Sequence, residues 1–307
     1  MATIVVEALL RAWRVADPAW RLRLRLVSLA VPVALVPLFF ALAPWRTGAA
    51  FAASGALFAS ERWNLLRVGA AGAGDLLLVA AAGLGSWLFL RDALPPVLER
   101  LRQEPPAEDG AWAAPHAFQA RVEQQARRLA VEPPAIRVVP SRWPVFFAEG
   151  RRPVELVVSA AALDALAPPE LDAAIAHELA HVRYADPAWG YALIAVRAAN
   201  FFNPALHWAA RAVVDELERR ADQAVVEAGH PAEALASAIG TLFDRGHPEP
   251  AAAGPLLERL ARRARQVGVE RRRARLVAAA HAAPLSHGWL RVALTAFGLT
   301  TMLYFVV

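Results

Sequence analysis

The segment from Leu26 to Trp45, LVSLAVPVALVPLFFALAPW, carries no charged side chain. A helix needs about 20 apolar residues to cross the hydrocarbon of a bilayer, so this run points to a fold that includes a membrane span. Pro32 and Pro37 would disturb a soluble helix, but within a membrane bundle neighbouring groups satisfy the freed carbonyls. A second run, Val68 to Leu90, is interrupted only by Asp75. Its GAAGAG stretch reads as a surface for close helix packing rather than a phosphate loop. A third run ends at Val307 and reaches spanning length if it begins near Leu285. The hydrophobic share of 57% and mean hydropathy of +0.33 exceed what a soluble globular chain carries, in keeping with an embedded portion.

Charge orients these segments. The net charge of +5 comes entirely from arginine, and Arg11, Arg14, Arg21, Arg23 and Arg25 precede the first run. Under the positive-inside rule the N-terminus is cytoplasmic, and the RRRAR stretch, Arg271 to Arg275, also belongs inside. The expected order is a cytoplasmic segment 1–25, a span 26–45, an external loop 46–67 and a span 68–90. A cytoplasmic domain 91–284 and a span 285–307 follow, giving a multi-pass protein of the inner membrane. A cleaved signal peptide ending at the ALA of 41–43 competes with this reading, but the long basic region and the second run speak against it. Acidic headgroups could bind RRRAR, although topology alone explains its charge. Nucleic-acid binding is not expected.

The region between the second and third runs has the length of one domain. A polar linker, QEPPAEDG at 103–110, opens it, and helical periodicity follows from His116 to Val131. Two β-branched runs, Ile136 to Val139 and Val154 to Val158, predict a small sheet. The second could offer an edge to an extended substrate. Everything after Ser159 reads as helical.

Within that helical part lies PPELDAAIAHELAHVRYADP, with prolines where a helix begins and acids in its first turn. Four residues slightly exceed one helical turn, so His177 and His181 share a face and can hold one ion, with Glu178 beside them. The chain has no cysteine, which leaves histidines and carboxylates as ligands. A catalytic zinc takes three protein ligands and keeps one position open. Downstream, in DELERRAD, Glu218 suits the third place, and Asp222 lies one turn later, positioned to orient an imidazole through its free N–H. Spacing alone does not choose between Glu216 and Glu218, and a rival reading has Glu218 and Asp222 on a solvated charged face with Arg219 and Arg220. Asn203 and Pro204 read as the N-cap and first residue of the helix that carries them. Asp186, before Pro187, reads as another N-cap. His207 lies about 16 Å along the helix from Glu218 and is not expected to be a ligand. Nor are His116, His230, His247, His281 and His287, which lack ligand spacing.

The succession HELAHVRYAD, FFNPALHW and ELERRAD, with RRPVELVVSAAALDAL upstream, resembles the BlaR/MecR-type antirepressor membrane metallopeptidases over roughly residues 135 to 228. Related patterns occur in HtpX-like and CAAX-processing proteases. The resemblance implies a mainly α membrane protein with a zincin-like α+β peptidase domain between membrane helices. It further implies one zinc ion held by His177, His181 and Glu218, with Glu178 catalytic and Asp222 supporting. Asn203 stands where the receptor group commonly has histidine, and no large sensor region follows the last apolar run. A role in sensing beta-lactams is therefore not expected. The expected activity is endopeptidase cleavage of a protein or peptide, with a separate regulator as a possible partner. The rival reading is a non-catalytic membrane adaptor that keeps the fold. Tyr184, His207 and Arg219 stand as unranked candidates for oxyanion stabilisation.

Overall fold

The computed structural model describes residues 2–56, 64–92, 94, 114–149, 153–184, 186–246, 267–276 and 288–305. In chain order these form α1 (Ala2–Ala12), α2 (Pro18–Leu42), a 3-10 turn (Pro44–Thr47), α3 (Ala49–Ser54), β1 (Arg67–Val68), β2 (Ala71–Gly72) and α4 (Ala73–Asp92). Next come α5 (His116–Leu129), β3 (Ala135–Val139), β4 (Phe146–Glu149), β5 (Glu155–Ser159), α6 (Ala160–Ala165), α7 (Pro168–Arg183), α8 (Asp186–Ala199), α9 (Pro204–Glu227) and α10 (Ala232–Gly246). A helical segment at 267–276, α11, and α12 (Gly288–Tyr304) complete the described elements. The linker at 103–110 and His247, His281 and His287 lie outside the described residues.

Two compact units divide the chain. The first comprises Met1–Arg102, Ala192–Glu216 and Ala283–Val307. Among its described residues, two helices are long and apolar enough to cross a membrane: Pro18–Leu42, with mean hydropathy 2.1, and Ala73–Asp92, with 1.7. These helices do not coincide with the apolar runs 26–45 and 68–90. Helix α2 starts at Pro18 because the Asp17 carboxylate accepts the Ala19 N–H at 2.7 Å, a side-chain cap ahead of a proline that suits the first turn. Arg21 and Arg25 are thereby drawn into the helix. The second run starts as a hairpin, since Val68 pairs with Ala71 and Gly69 takes a φ of +63° that favours glycine. The GAAGAG stretch is thus mostly this turn and not a helix face. The third run forms a helix of 17 residues, about 25 Å long at 1.5 Å per residue and shorter than the span expected over 285–307.

Close packing in the first unit falls on other glycines. A Cβ on Gly85 would collide with the backbone of Phe202 and Asn203, and one on Gly288 would strike the Trp20 ring. Helix α12 lies along α2, with Leu299 buried among Val6, Leu10 and Leu24 and with Trp20 edge-on to Trp289 at 5.3 Å. Arg46 caps its end, donating to the carbonyls of Tyr304 at 2.7 Å and Leu303 at 3.0 Å. Overpacking a tight contact costs about 1–3 kcal/mol, so Gly85→Val is expected to lower the midpoint of thermal unfolding in detergent. An unchanged midpoint would deny that the contact is tight.

The second unit, Gln103–Tyr191 with Leu217–Ala282, holds the sheet. Its strand order is β3-β5-β4, with β3 parallel and β4 antiparallel to β5. The strand expected over Val154 to Val158 is therefore central, and β4 forms an edge in its place. The sequence reading missed β4 because it is only four residues long, between Pro144 and Gly150. Ser159 is buried at the end of β5, where its hydroxyl accepts the N–H groups of Val145 and Ala162 and donates to the Trp143 carbonyl. Helices α5 and α10 both pack on α7. The alanines of α7, Ala173, Ala174, Ala176 and Ala180, are buried and permit close approach, while Ile175 and Leu179 enter a core with Val122, Leu156 and Val225.

Candidate metal centre

Helix α7 begins at its predicted prolines, and the Glu170 carboxylate turns back to accept the Ala167 N–H at 2.8 Å. One face then presents His177 and His181, whose Nε2 atoms are 3.0 Å apart. Helix α9 starts at Pro204, with Asn203 Oδ1 accepting from the N–H groups of Ala205 and Leu206. The part of α9 beyond Leu217 belongs to the same unit as α7 and carries Glu218 and Asp222. Glu218 Oε2 lies 3.6 Å from His177 Nε2, and Glu218 Oε1 lies 3.6 Å from His181 Nε2. Asp222 Oδ1 is 3.3 Å from His177 Nδ1.

These separations suit a metal ion. Donors about 2.0–2.2 Å from a tetrahedral ion are roughly 3.3 Å from one another, and the three side chains offer atoms within 4.8 Å of each other. Two imidazoles and a carboxylate, without thiolates, form a donor set typical of catalytic zinc. Glu178, next along α7, accepts the Ala148 N–H of strand β4 at 2.9 Å through Oε2. The edge strand and the acid beside the histidines are thus joined.

Glu216 has a different environment. Its fully buried carboxylate lies in the first unit, 2.8 Å from both Arg21 Nε and Arg25 Nη1, and Arg25 also pairs with Glu7 at 2.9 Å. Two helical positions are about 200° apart around the axis, so Glu216 and Glu218 face opposite ways. His207 is also buried in the first unit, with Nε2 donating to the Phe201 carbonyl at 2.8 Å. His230 donates to Gln125 Oε1 at 2.8 Å and is structural. Tyr184 lies beneath the Arg220 guanidinium, 3.6 Å from its ring centre.

The sequence reading missed Arg272. In place of a purely topological role, this residue of RRRAR sends its guanidinium into the cluster, with Nη1 2.6 Å from Glu218 Oε2 and Nη2 2.6 Å from Asp222 Oδ1. Burial and Arg272 act to lower the His177 pKa, but hydrogen bonds to Asp222 and Glu218 outweigh them and hold it at about 9. Burial likewise opposes ionisation of Glu218 and Asp222, yet His177 and Arg272 prevail and keep both carboxyls below their ordinary values.

The sequence is similar to known peptidases. Residues 116–237 match the family described as BlaR1 peptidase M56. A protease HtpX homologue of Acidiphilium cryptum is 34% identical over 145 residues, covering 46% of this chain and 47% of that protein. Another from Methanocaldococcus jannaschii is 37% identical over 67 residues, or 21% and 24% of the two chains. A third, from Persephonella marina, is 35% identical over 86 residues, or 27% and 28%. The chain thus spans less than half the length of these relatives.

Proposed function

We propose that the chain, whose residues 116–237 match the family described as BlaR1 peptidase M56, is a membrane-anchored zinc endopeptidase whose ion is held by His177, His181 and Glu218. The observation that best supports this reading is the convergence of those three side chains beside the Glu178 carboxylate. Zinc in such a site supplies Lewis acidity, making water a better nucleophile at neutral pH and polarising a carbonyl.

Glu178 takes the proton of the attacking water as it adds to the peptide carbonyl carbon and delivers it to the leaving amine nitrogen. The Ala148 N–H holds Oε2 of this carboxylate, which fixes its orientation for both transfers. Asp222 accepts the Nδ1–H of His177 and so directs Nε2 toward the ion. A substrate segment adds to the edge of β4, which carries the chain past Glu178. The substrate is a protein or peptide, a regulatory protein in the antirepressor manner. The domain faces the cytoplasm, as the arginines ahead of the first apolar helix favour.

Asp222→Ala removes the group that orients His177 and is expected to weaken zinc retention or turnover about 10 to 100-fold. Zinc content and peptide hydrolysis of the purified variant provide the check; wild-type values for both would reduce Asp222 to a structural acid.

A further inference from the structure

We propose that the Arg272 guanidinium is a built-in cation that holds the centre in its metal-free form, so that an incoming metal ion must expel it. This rests on the reading of His177, His181 and Glu218 as ligands. Arg272 reaches two of the three ligand side chains at the atoms needed for the metal. Its Nη1 lies 2.6 Å from Glu218 Oε2, and its Nη2 lies 2.9 Å from His177 Nε2. Asp222 holds the other side of the guanidinium, accepting from Nε at 3.0 and 3.2 Å and from Nη2 at 2.6 Å.

The electrostatic reason is local. Without a cation, the carboxylates of Glu218 and Asp222 would stand partly desolvated on one helix face, an arrangement whose cost rises with burial. Arginine remains charged in proteins, so it compensates them at any ordinary pH. For the same reason it cannot share their inner edge with a divalent ion, which would meet a like charge as well as the guanidinium's bulk. The backbone of α11 is anchored: Leu276 is buried in the core, and Arg273 lies against Gly240, where an added Cβ would come within 3.1 Å of it. Exchange therefore falls to the Arg272 side chain, with Asp222 as its remaining partner. An arginine that only positioned Asp222 would have no need to approach His177 Nε2, and its loss would weaken metal binding. The exchange reading requires the opposite sign.

The test uses the full chain in detergent, stripped of metal by a chelator and titrated with zinc against a chromophoric competitor. Arg272→Gln is expected to bind zinc about tenfold or more tightly than wild type, the scale of one charge-assisted hydrogen bond that no longer has to be broken. Its stripped form is expected to melt at a lower temperature than stripped wild type, with a smaller difference once both are loaded. Unchanged or weaker zinc affinity would overturn the proposal. Should Arg272→Gln not be recovered folded, Arg272→Met, which is also uncharged and of similar length, decides: tighter zinc binding supports exchange, and equal or weaker binding overturns it. A Glu218→Ala control separates the premises. If wild type and that variant bind zinc alike, the ligand assignment fails and the exchange proposal falls with it; if Glu218→Ala alone loses zinc while Arg272→Gln binds as wild type, only the exchange proposal fails.

Discussion

Replacing Glu178 with glutamine is expected to abolish peptide hydrolysis while leaving the fold and the metal in place. The substitution preserves length and keeps an oxygen that can accept the Ala148 N–H now bound at 2.9 Å. What it removes is the capacity to take a proton from water and return it to the leaving nitrogen. General acid–base catalysis contributes about 10²–10⁴ in rate, and an amide cannot substitute for a carboxylate in that role. The check is hydrolysis of a protein or peptide panel by wild type and variant at equal zinc content. Wild-type turnover in Glu178→Gln would remove Glu178 from the chemistry. A zinc-loaded wild type that cleaves nothing, while both proteins retain a common binding partner, would favour the adaptor reading.

Glu218→Ala and Glu216→Ala are expected to fail in different ways, although the residues are two positions apart on α9. Loss of Glu218 takes one of three anchoring groups from the proposed ion, and zinc occupancy should fall steeply. Loss of Glu216 should leave zinc bound but destabilise the first unit, because Arg21 and Arg25 would lose the carboxylate lying 2.8 Å from each. Removing one partner of a buried ion pair costs about 3–5 kcal/mol, so the effect should be large in thermal unfolding. Zinc content measured on both folded variants separates them. Loss of zinc only from the Glu216 variant would contradict the assignment.

Sequence periodicity made the HELAH face legible because His177 and His181 are local neighbours on one helix, and the starts of α7 and α9 were marked by prolines and caps. The third carboxylate was less legible, since two acids in one turn look alike in a string and only their opposite faces separate them. Arg272 was hidden for another reason: within RRRAR, the topology expected from the positive-inside rule already offered an account of the charge, and nothing local tells an inward arginine from its neighbours. The GAAGAG stretch was misread because the same small residues serve a helix interface and a tight hairpin; the positive φ of Gly69 belongs to the latter. Strand β4, which brings the Ala148 N–H to Glu178, has too few residues to display an alternating pattern.

The central claim is most directly tested by zinc-edge X-ray absorption on the full-length protein purified in detergent. The account requires about one zinc per chain, with two imidazole nitrogens and a carboxylate oxygen at about 2.0–2.2 Å and an exchangeable oxygen completing the shell. A chain that binds no zinc, or a coordination shell without histidine, would contradict it.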